Sequence, residues 1–301
     1  MRRFVIVAFT ILILPLLAHG AESGSQFLPP FNKVMIVVLE NANYADAVAQ
    51  PFLGQLAKSG ALLSNFSAVA RPSLPNYIAL TAGTVAGLSS NDPVNLNLRH
   101  IGDLLEAKGK TWKVYAEAYP GRCFLGARSG PYVRKHVPFL SFKNIQNDTR
   151  RCANIVEAST LDRDAATGNL ADYSLYIPDE NNDGHHTGVR FADRWTERIF
   201  GPRLKNPGFM KGMLLVVTFD EAAGGDHFNH IYTALAGESV LSGSVSMSPY
   251  NHYSLLRTIE DALGLGTLRK DDAAASPIVG VWKQSSRRPA LGLDTASRNN
   301  E

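Results

Sequence analysis

The chain has 301 residues, of which 45% are apolar and 19% charged, and it contains two cysteines. This balance excludes a disordered chain, a collagen-like chain and a cysteine-rich disulfide scaffold. The 30 basic and 27 acidic residues give a formal net charge of +3, and so small an excess does not indicate binding to nucleic acid or to a membrane surface.

The first twenty residues predict a secretory signal peptide. Arg2 and Arg3 precede an apolar run over 4–17, and the small residues Ala18 and Gly20 stand just before Ala21. The run is shorter than a membrane-spanning helix, and the small residues fit a cleavage site. We expect residues 1–20 to be removed on export, so that the mature protein is soluble and secreted or periplasmic. An uncleaved membrane anchor is the alternative.

The rest of the chain predicts one domain followed by a tail. Between residues 30 and 283 there is no internal repeat or linker, so we expect a single domain over 21–283. The tail, 284–301, is polar and carries no lipid-anchor signal. Cys123 and Cys152 are the only cysteines, and export favours a disulfide bond between them. Two buried free thiols are the alternative.

Short apolar runs alternate with helical patterns along this domain. The runs at 34–39, 112–116, 173–177 and 213–219 are rich in Val, Ile and Leu, which is typical of parallel strands buried on both faces. Helical patterns lie at 51–59, 101–108, 189–200 and 252–263, and all but the third end at a glycine, the usual helix stop. The alternation predicts an α/β fold, a three-layer α/β/α sandwich with a mostly parallel central sheet.

Acidic residues follow all four of these predicted strands. Glu40 and Asn41 follow the first, Glu117 the second, Asp179 the third, and Asp220 and Glu221 the fourth. Ligands bind beyond the carboxyl ends of the strands in such sheets, so these side chains should meet at one edge. Adjacent carboxylates repel each other unless a cation or a base compensates, which favours an oxygen-ligand metal site. For the first pair, an ordinary strand exit with a turn-forming asparagine remains the alternative.

Ser73 stands between two prolines, ahead of an apolar helical run over 77–82. A helix start directs N–H groups and a positive dipole end toward an anion. The serine could be a simple N-cap or a nucleophile activated by a base or a metal. There is no G-x-S-x-G sequence, which argues against an acyl-transferring α/β-hydrolase.

Histidines are concentrated around the fourth predicted strand. Four of the eight, at 185, 186, 227 and 230, lie on either side of it, which suggests metal ligands or phosphate contacts. Residues 179–184 match the opening of an EF-hand loop, D-x-N-x-D-G. Its twelfth position is Arg190 instead of the required glutamate, so an EF-hand is rejected, whereas a looser metal-binding loop is not.

The segment 73–77, followed by Thr81-Ala82-Gly83, resembles the nucleophile segment of the alkaline phosphatase superfamily, especially its nucleotide pyrophosphatase and phosphodiesterase branch. The remainder is similar, over roughly residues 33–265, to the phosphoesterase family that includes acid phosphatases and non-specific phospholipases C. The matching pieces are 40–41, R-K-H-x-P-F at 134–139, 182–185, 218–221, His230 and 251–260.

The resemblance implies an alkaline phosphatase-like fold and a site in which Ser73 is both nucleophile and metal contact. It implies the following further roles: Glu40, Asn41, Asp220 and Glu221 as ligands of a divalent metal ion, and Asn76, His136, His185 and His186 as contacts of the phosphoryl group. Asp183, His185 and His230 could hold a second, nitrogen-preferring ion, as in two-metal phosphatases, or could merely contact phosphate. We favour one ion, because Glu221 stands where a histidine is usual and makes the site harder and richer in oxygen.

The function expected from these residues is that of a secreted, metal-dependent phosphoesterase that forms a phosphoserine intermediate, most like an acid phosphatase. A phospholipase C acting on lipid headgroups is one alternative. It is disfavoured because Ile231-Tyr232 follows His230 where many phospholipase relatives have Val-Pro. A non-catalytic secreted glycoprotein of the same fold is another. The expected partner is a phosphate-ester substrate, and we expect the protein itself to have no stable membrane anchor. The sequence does not indicate the metal's identity or the oligomeric state.

Overall fold

Strands and helices alternate through the part of the chain that the computed structural model describes, residues 29–284. The strands are β1 (Lys33–Leu39), β2 (Ala61–Leu63), β3 (Phe66–Ser67), β4 (Trp112–Ala116), β5 (Arg128–Ser129), β6 (Tyr132–Val133), β7 (Ile155–Glu157), β8 (Tyr173–Ile177), β9 (Met213–Phe219), β10 (Thr233–Gly237), β11 (Ser244–Ser246) and β12 (Tyr250–Asn251). The predicted signal peptide, and the predicted tail beyond Gln284, lie outside the described residues.

The α-helices are α1 (Tyr44–Val48), α2 (Pro51–Ser59), α3 (Ser73–Ala82), α4 (Ile101–Ala107), α5 (Lys143–Gln146), α6 (Thr149–Cys152), α7 (Thr160–Ala166), α8 (Val189–Leu204), α9 (Pro207–Met210), α10 (His252–Leu263) and α11 (Asp271–Ala274). Two 3-10 turns, Arg134–His136 and Pro138–Ser141, precede α5. None of the described helices is long and apolar enough to cross a membrane.

Eight of the strands form one central sheet in the order β11-β2-β10-β9-β1-β8-β4-β7. Every neighbouring pair is parallel except the two pairs that β10 makes with β9 and β2. The prediction of an α/β fold with a mostly parallel sheet is therefore confirmed. Every residue of β8 and β9 is buried, so both faces of the sheet are covered. Among the helices, α2 packs against α8 and α3 packs against α10.

The predicted element boundaries agree closely with the structure. The bounds of β4, β8, β9, α2 and α10 are those predicted, and α10 ends at Gly264, whose φ of 66° is the left-handed conformation that favours glycine. The largest differences are at α3, which begins at Ser73 instead of residue 77, and at α8, which ends at Leu204 instead of residue 200. Proline at the third helical position is tolerated because its missing N–H would have no partner inside the helix.

Backbone hydrogen bonds hold the carboxyl ends of the central strands together. The Glu40 N–H donates to the carbonyl of Asp183 at 2.9 Å, and the Asp220 N–H donates to that of Leu39 at 3.0 Å. The residues directly after β1, β8 and β9 therefore lie at one edge of the sheet, as predicted.

A disulfide bond joins Cys123 to Cys152, with 5.6 Å between the Cα atoms. The bond ties the segment after β4 to helix α6. This geometry agrees with the disulfide alternative and excludes two free thiols, and the cross-linked stretch contains the 3-10 turn Arg134–His136.

Candidate active site

Ser73 is the first residue of α3 and is buried at the edge where β1 and β9 end. Its Oγ lies 3.3 Å from Glu40 Oε2 and 3.4 Å from Glu221 Oε1. The Lys135 ammonium approaches the same oxygen at 3.5 Å. Pro72 holds the N-cap position, and Asn91 Oδ1 accepts a hydrogen bond from the Leu74 N–H at 2.9 Å. The Ser73 hydroxyl therefore lies among charged side chains and takes no part in capping the helix.

Glu40 is fully buried and is surrounded by donors. Its Oε1 accepts a hydrogen bond from the Tyr77 hydroxyl at 3.0 Å and lies 2.8 Å from His136 Nε2. Its Oε2 lies 3.5 Å from His185 Nδ1. Burial alone would raise the pKa of Glu40, but the charge and hydrogen bond of His136, together with His185, hold it well below its usual range. Glu40 is therefore the ionised carboxylate of the site.

The two carboxylates that follow β9 repel each other and Glu40. Burial, followed by the charges of Glu40 and Glu221, raises the pKa of Asp220 well above its usual value. Asp220 Oδ1 accepts a 3.4 Å hydrogen bond from the Asn41 N–H, and its buried Oδ2 has no partner among the described residues. Burial also raises the pKa of Glu221, although the Arg71 guanidinium pairs with its Oε2 at 3.2 Å.

Asp183 and His185 lie on the other side of Glu40. The His185 N–H donates to Asp183 Oδ1 at 2.8 Å, and His185 Nδ1 lies 3.0 Å from Asn41 Oδ1. Burial and the charge of Glu40 raise the pKa of Asp183 to about 8, and its buried Oδ2 is without a partner in the range 29–284. The hydrogen bond to Glu40 raises the pKa of His185. Its ring is partly exposed and can reach a ligand.

The donor chemistry of this edge fits a hard divalent cation. Asp220 and Asp183 each present a buried, unpartnered carboxylate oxygen, and burial, followed by the charge of Glu40, raises the pKa of both, as expected for carboxyl groups crowded together without a cation. Carboxylate and amide oxygens are the ligands that such ions prefer. Within residues 29–284, no three His, Cys, Asp or Glu side chains are arranged to hold an ion as they stand, so binding requires small side-chain movements.

Two of the residues expected to contact phosphate have their polar atoms engaged elsewhere. Asn76 Oδ1 accepts from the N–H groups of Val69 and Ala70, at 3.0 and 2.9 Å, and its Nδ2 donates to the carbonyls of Ala70 and Pro72. It therefore holds the turn before Ser73 in place and offers no free donor to a phosphoryl group.

His136 is 1% exposed and is enclosed between carboxylates. Its Nε2 meets Glu40, and its Nδ1 lies 3.7 Å from Asp183 Oδ2. Burial lowers its pKa, against the opposing effect of Glu40. Both ring nitrogens thus face protein carboxylates, which favours a role in positioning Glu40, and the predicted phosphate contact stays a prediction.

His186 and His230 have their contacts with residues other than Ser73 and Glu40. His186 is exposed and its Nε2 lies 3.5 Å from Glu180 Oε2. His230 Nε2 lies 2.9 Å from the carbonyl of Ser64, and its ring stacks on Tyr44 with 4.1 Å between centroids. The contacts of His230 are thus with Ser64 and Tyr44, whereas those of Asp183 are with His136, His185 and Glu40. The contacts of Asp183 and His230 within the described residues share no residue, and a second ion held by them remains the alternative to the single ion that we favour.

Sequence reasoning did not assign roles to Lys135, Tyr77 and Arg71. The signal for Tyr77 was present, because it stands four residues after Ser73 and so shares a face of the helix with it. Lys135 lies beside His136 in the R-K-H motif, in a segment with no periodic pattern. Arg71 donates to Glu221 and, at 2.6 Å, to the carbonyl of Ala222, which only the folded chain reveals.

Comparison with known sequences extends this description. The model of the Phosphoesterase family matches residues 35–266. A probable acid phosphatase of Kluyveromyces lactis is 31% identical, over 90% of this chain and 67% of its own length. A phosphate-repressible acid phosphatase of Penicillium chrysogenum is 32% identical, over 82% of this chain and 62% of its own length. The chain thus spans about two thirds of the fungal relatives. A phosphatidylinositol-3-phosphatase of Mycobacterium tuberculosis is 34% identical, over 86% of this chain and 85% of its own length.

Solved structures support the same fold. A protein of the alkaline phosphatase superfamily from Vibrio parahaemolyticus aligns with a TM-score of 0.58 at 14% identity, covering 84% of this chain and 72% of its own. Murine ectonucleotide pyrophosphatase/phosphodiesterase 5 aligns with a TM-score of 0.53 at 11% identity, covering 79% of this chain and 96% of its own. At these identities the likeness establishes the architecture, which is that of the alkaline phosphatase superfamily.

Proposed function

The chain belongs to the phosphoesterase family, and from this premise we propose that it hydrolyses phosphate esters as a phosphatase, with Ser73 as the nucleophile. One observation carries the proposal: Ser73 is the buried first residue of α3, and its hydroxyl lies within 3.5 Å of two carboxylates and one ammonium group. A hydroxyl at the start of a helix, beside carboxylates that can accept its proton, is typical of an activated nucleophile. The fungal relatives are named acid phosphatases, which supports monoesters as substrates.

We propose that Glu40, Asp220, Glu221 and the Asn41 amide, together with Ser73, hold a divalent metal ion. When bound, such an ion stabilises the serine alkoxide and the charge on the transferred phosphoryl group. The uncompensated charge around Asp220 supports this assignment, because a buried carboxylate cluster needs a cation. We favour one ion, since His230 and Asp183 belong to separate contact networks.

The reaction follows from the positions of the protein groups. Ser73 Oγ attacks phosphorus in line, a bond between Oγ and phosphorus forms, and the ester bond to the leaving alcohol breaks. Glu40 Oε2 and Glu221 Oε1 lie 3.3 and 3.4 Å from Ser73 Oγ, so either carboxylate can accept the proton of the hydroxyl. Lys135 and His185 carry positive charge toward the phosphoryl oxygens. Water then cleaves the phosphoserine and releases phosphate.

Phosphate release from p-nitrophenyl phosphate, with and without a chelator, tests the proposal. Ser73→Ala should reduce kcat by far more than a hundredfold, because an essential covalent group is lost. Ser174→Ala is the matched control: Ser174 is also fully buried, but its hydroxyl has no partner among the described residues. Acid quenching of the wild-type reaction should trap a phosphoryl group on the peptide that contains Ser73. A Ser73→Ala enzyme that keeps more than about a hundredth of kcat contradicts the assignment.

A phosphoinositide monoester is the second candidate substrate. The Mycobacterium tuberculosis relative, matched over 85% of its length, is named a phosphatidylinositol-3-phosphatase. Comparing kcat/KM for a soluble inositol phosphate and for the same headgroup in vesicles separates the two candidates. Release of diacylglycerol from phosphatidylcholine vesicles would instead identify a phospholipase C, and no turnover of any ester would indicate the non-catalytic alternative.

We also propose that the protein is exported after cleavage behind Gly20. The Cys123–Cys152 disulfide supports export, since such bonds persist in oxidising compartments. Sequencing the N-terminus of protein recovered from the medium or the periplasm tests it. A first residue of Ala21 is expected, and a mature protein that still starts at Met1 would contradict cleavage.

A further inference from the structure

Glu117, directly after β4, receives four hydrogen bonds on one carboxylate. Its Oε2 accepts from the Asp179 N–H at 3.1 Å and from Asn182 Nδ2 at 2.8 Å. Its Oε1 accepts from Trp195 Nε1 at 3.2 Å and from the Tyr176 hydroxyl at 3.4 Å. Such a convergence of donors on one partly buried carboxylate exceeds what a strand exit needs, and two of the donors belong to a single loop.

That loop, residues 178–186, is the segment whose sequence resembles the opening of an EF-hand. The structure shows a different use of the same side chains. Asp179 Oδ1 accepts from the Asn181 N–H at 3.0 Å, and the Asp179 carbonyl accepts from the Asn182 and Asp183 N–H groups. The Asn182 amide points to Glu117. The acidic and amide residues thus close a compact turn on themselves and on Glu117.

The turn carries two residues of the site. Asp183 places its carbonyl 2.9 Å from the Glu40 N–H and its Oδ1 2.8 Å from the His185 N–H. His185 in turn lies against Asn41 and Glu40. A shift of the turn by a fraction of an ångström would therefore move a phosphate-facing histidine and the backbone of the principal carboxylate together.

We propose that Glu117 is a positioning residue for the reaction: it fixes the turn 179–183 through Asp179 and Asn182, and so sets the distance of Asp183 and His185 from Glu40. It touches neither substrate nor nucleophile. The proposal rests on the proposed function for its catalytic consequence, because a misplaced contact to the transition state lowers the rate. The part of the proposal that concerns the turn depends only on the four hydrogen bonds to Glu117.

Glu117→Gln is the first test, because it keeps the shape of the side chain and removes the charge and one acceptor. The matched control is Glu157→Gln. Glu157 ends β7, the neighbour of β4, and its Oε2 caps the Ser159 N–H at 2.7 Å. We expect Glu117→Gln to speed amide hydrogen exchange in residues 179–188 by about tenfold or more, since hydrogen bonds to a charged acceptor are lost. We also expect a shifted emission of the buried Trp195 and a kcat reduced by about 10- to 100-fold. The control should change none of these.

A charge-conserving swap tests whether Glu117 acts through Asn182. Asn182→Asp alone sets two carboxylates against each other and should accelerate loop exchange. The double variant Glu117→Gln/Asn182→Asp restores one hydrogen bond with donor and acceptor exchanged, so it should recover slow exchange and part of the lost kcat. Such recovery is a direct measure of coupling between the two residues.

The outcomes separate the two proposals. Unchanged exchange at 179–188 in Glu117→Gln, or acceleration spread evenly over the chain, would overturn the positioning role, as would a double variant no better than its worse parent. A wild-type protein that releases no phosphate from any ester would contradict the proposed function, while the exchange measurements would still decide the role of Glu117.

Discussion

The Tyr77 hydroxyl provides a direct measurement of how strongly the fold supports the charge on Glu40. Tyr77 is 1% exposed and donates to Glu40 Oε1 at 3.0 Å. Burial, followed by the charge of Glu40, raises the pKa of Tyr77 well above its usual value, so the phenol keeps its proton and remains a donor at any working pH. Tyr77→Phe removes this hydrogen bond and leaves the ring in place.

The size of the effect follows from what Glu40 retains. A hydrogen bond to a charged group contributes about 1.5–3 kcal/mol. His136 still lies 2.8 Å from the same oxygen, and the Ser73 hydroxyl lies 3.3 Å from the other. Because the carboxylate is not left without partners, we expect a loss near the lower end, about 1.5–2 kcal/mol in the free energy of unfolding.

Urea denaturation of the purified protein measures this loss, and the chain offers a matched control. Tyr173 is also fully buried, but its hydroxyl has no hydrogen-bond partner in the described range. Tyr173→Phe should therefore be neutral or slightly stabilising, because it deletes an unsatisfied polar group. If both variants change the free energy of unfolding by the same amount, or if Tyr77→Phe costs less than about 0.5 kcal/mol, the account of Glu40 is refuted.

Three further predictions follow from other parts of the structure. Replacing Cys123 and Cys152 by serine should destabilise the protein by about 3.5 kcal/mol, from the chain entropy of a 29-residue separation; a thermal melt checks it, and an unchanged Tm would contradict it. Burial raises the pKa of Glu260 to about 9, so the folded protein keeps this carboxyl group protonated while the unfolded chain ionises it above about pH 4.5. The free energy of unfolding should therefore fall by about 1.4 kcal/mol per pH unit between about pH 4.5 and pH 9. Glu260→Gln should then match the wild type at pH 4 and be clearly more stable at pH 8, and a pH-independent difference in Tm would exclude this origin. Metal analysis should find that Glu40→Ala loses both metal and activity, whereas His185→Ala keeps near-stoichiometric metal and loses activity; two ions in the wild type and one in His185→Ala would show that His185 is a ligand.

The central sheet could be predicted from the sequence because its strands are continuous apolar runs. β9 is buried along its whole length and β1 along all but its first residue, and strands buried on both faces have nearly continuous apolar sequences, here rich in Val and Leu. The short strands leave no such pattern. β3 and β12 have two residues each, and β10, the one antiparallel strand of the central sheet, has five. Their pairing depends on partners that are distant in sequence.

The site was only partly predictable, for a different physical reason. Strand-end reasoning located Glu40, Asp220 and Glu221, because the topology of a parallel sheet brings such residues to one edge. It could not show which polar atoms are already engaged. Asn76 and His136 have the residue types of phosphate contacts, yet their hydrogen-bonding groups are directed at backbone and at carboxylates.

The division between engaged and free groups also bears on specificity. The residues that surround Ser73 from within the fold, among them Glu40, Tyr77 and His136, are each 2% exposed or less and bind one another. A closed network of this kind fixes Ser73, the proposed nucleophile, and leaves little freedom to adapt to different alcohols. We therefore predict that discrimination between leaving groups depends on exposed residues such as His185, whose ring lies beside Glu40, and His186 next to it. Substitutions in the buried set should change kcat for all esters alike, whereas substitutions of the exposed histidines should change the ratio of kcat/KM between two esters.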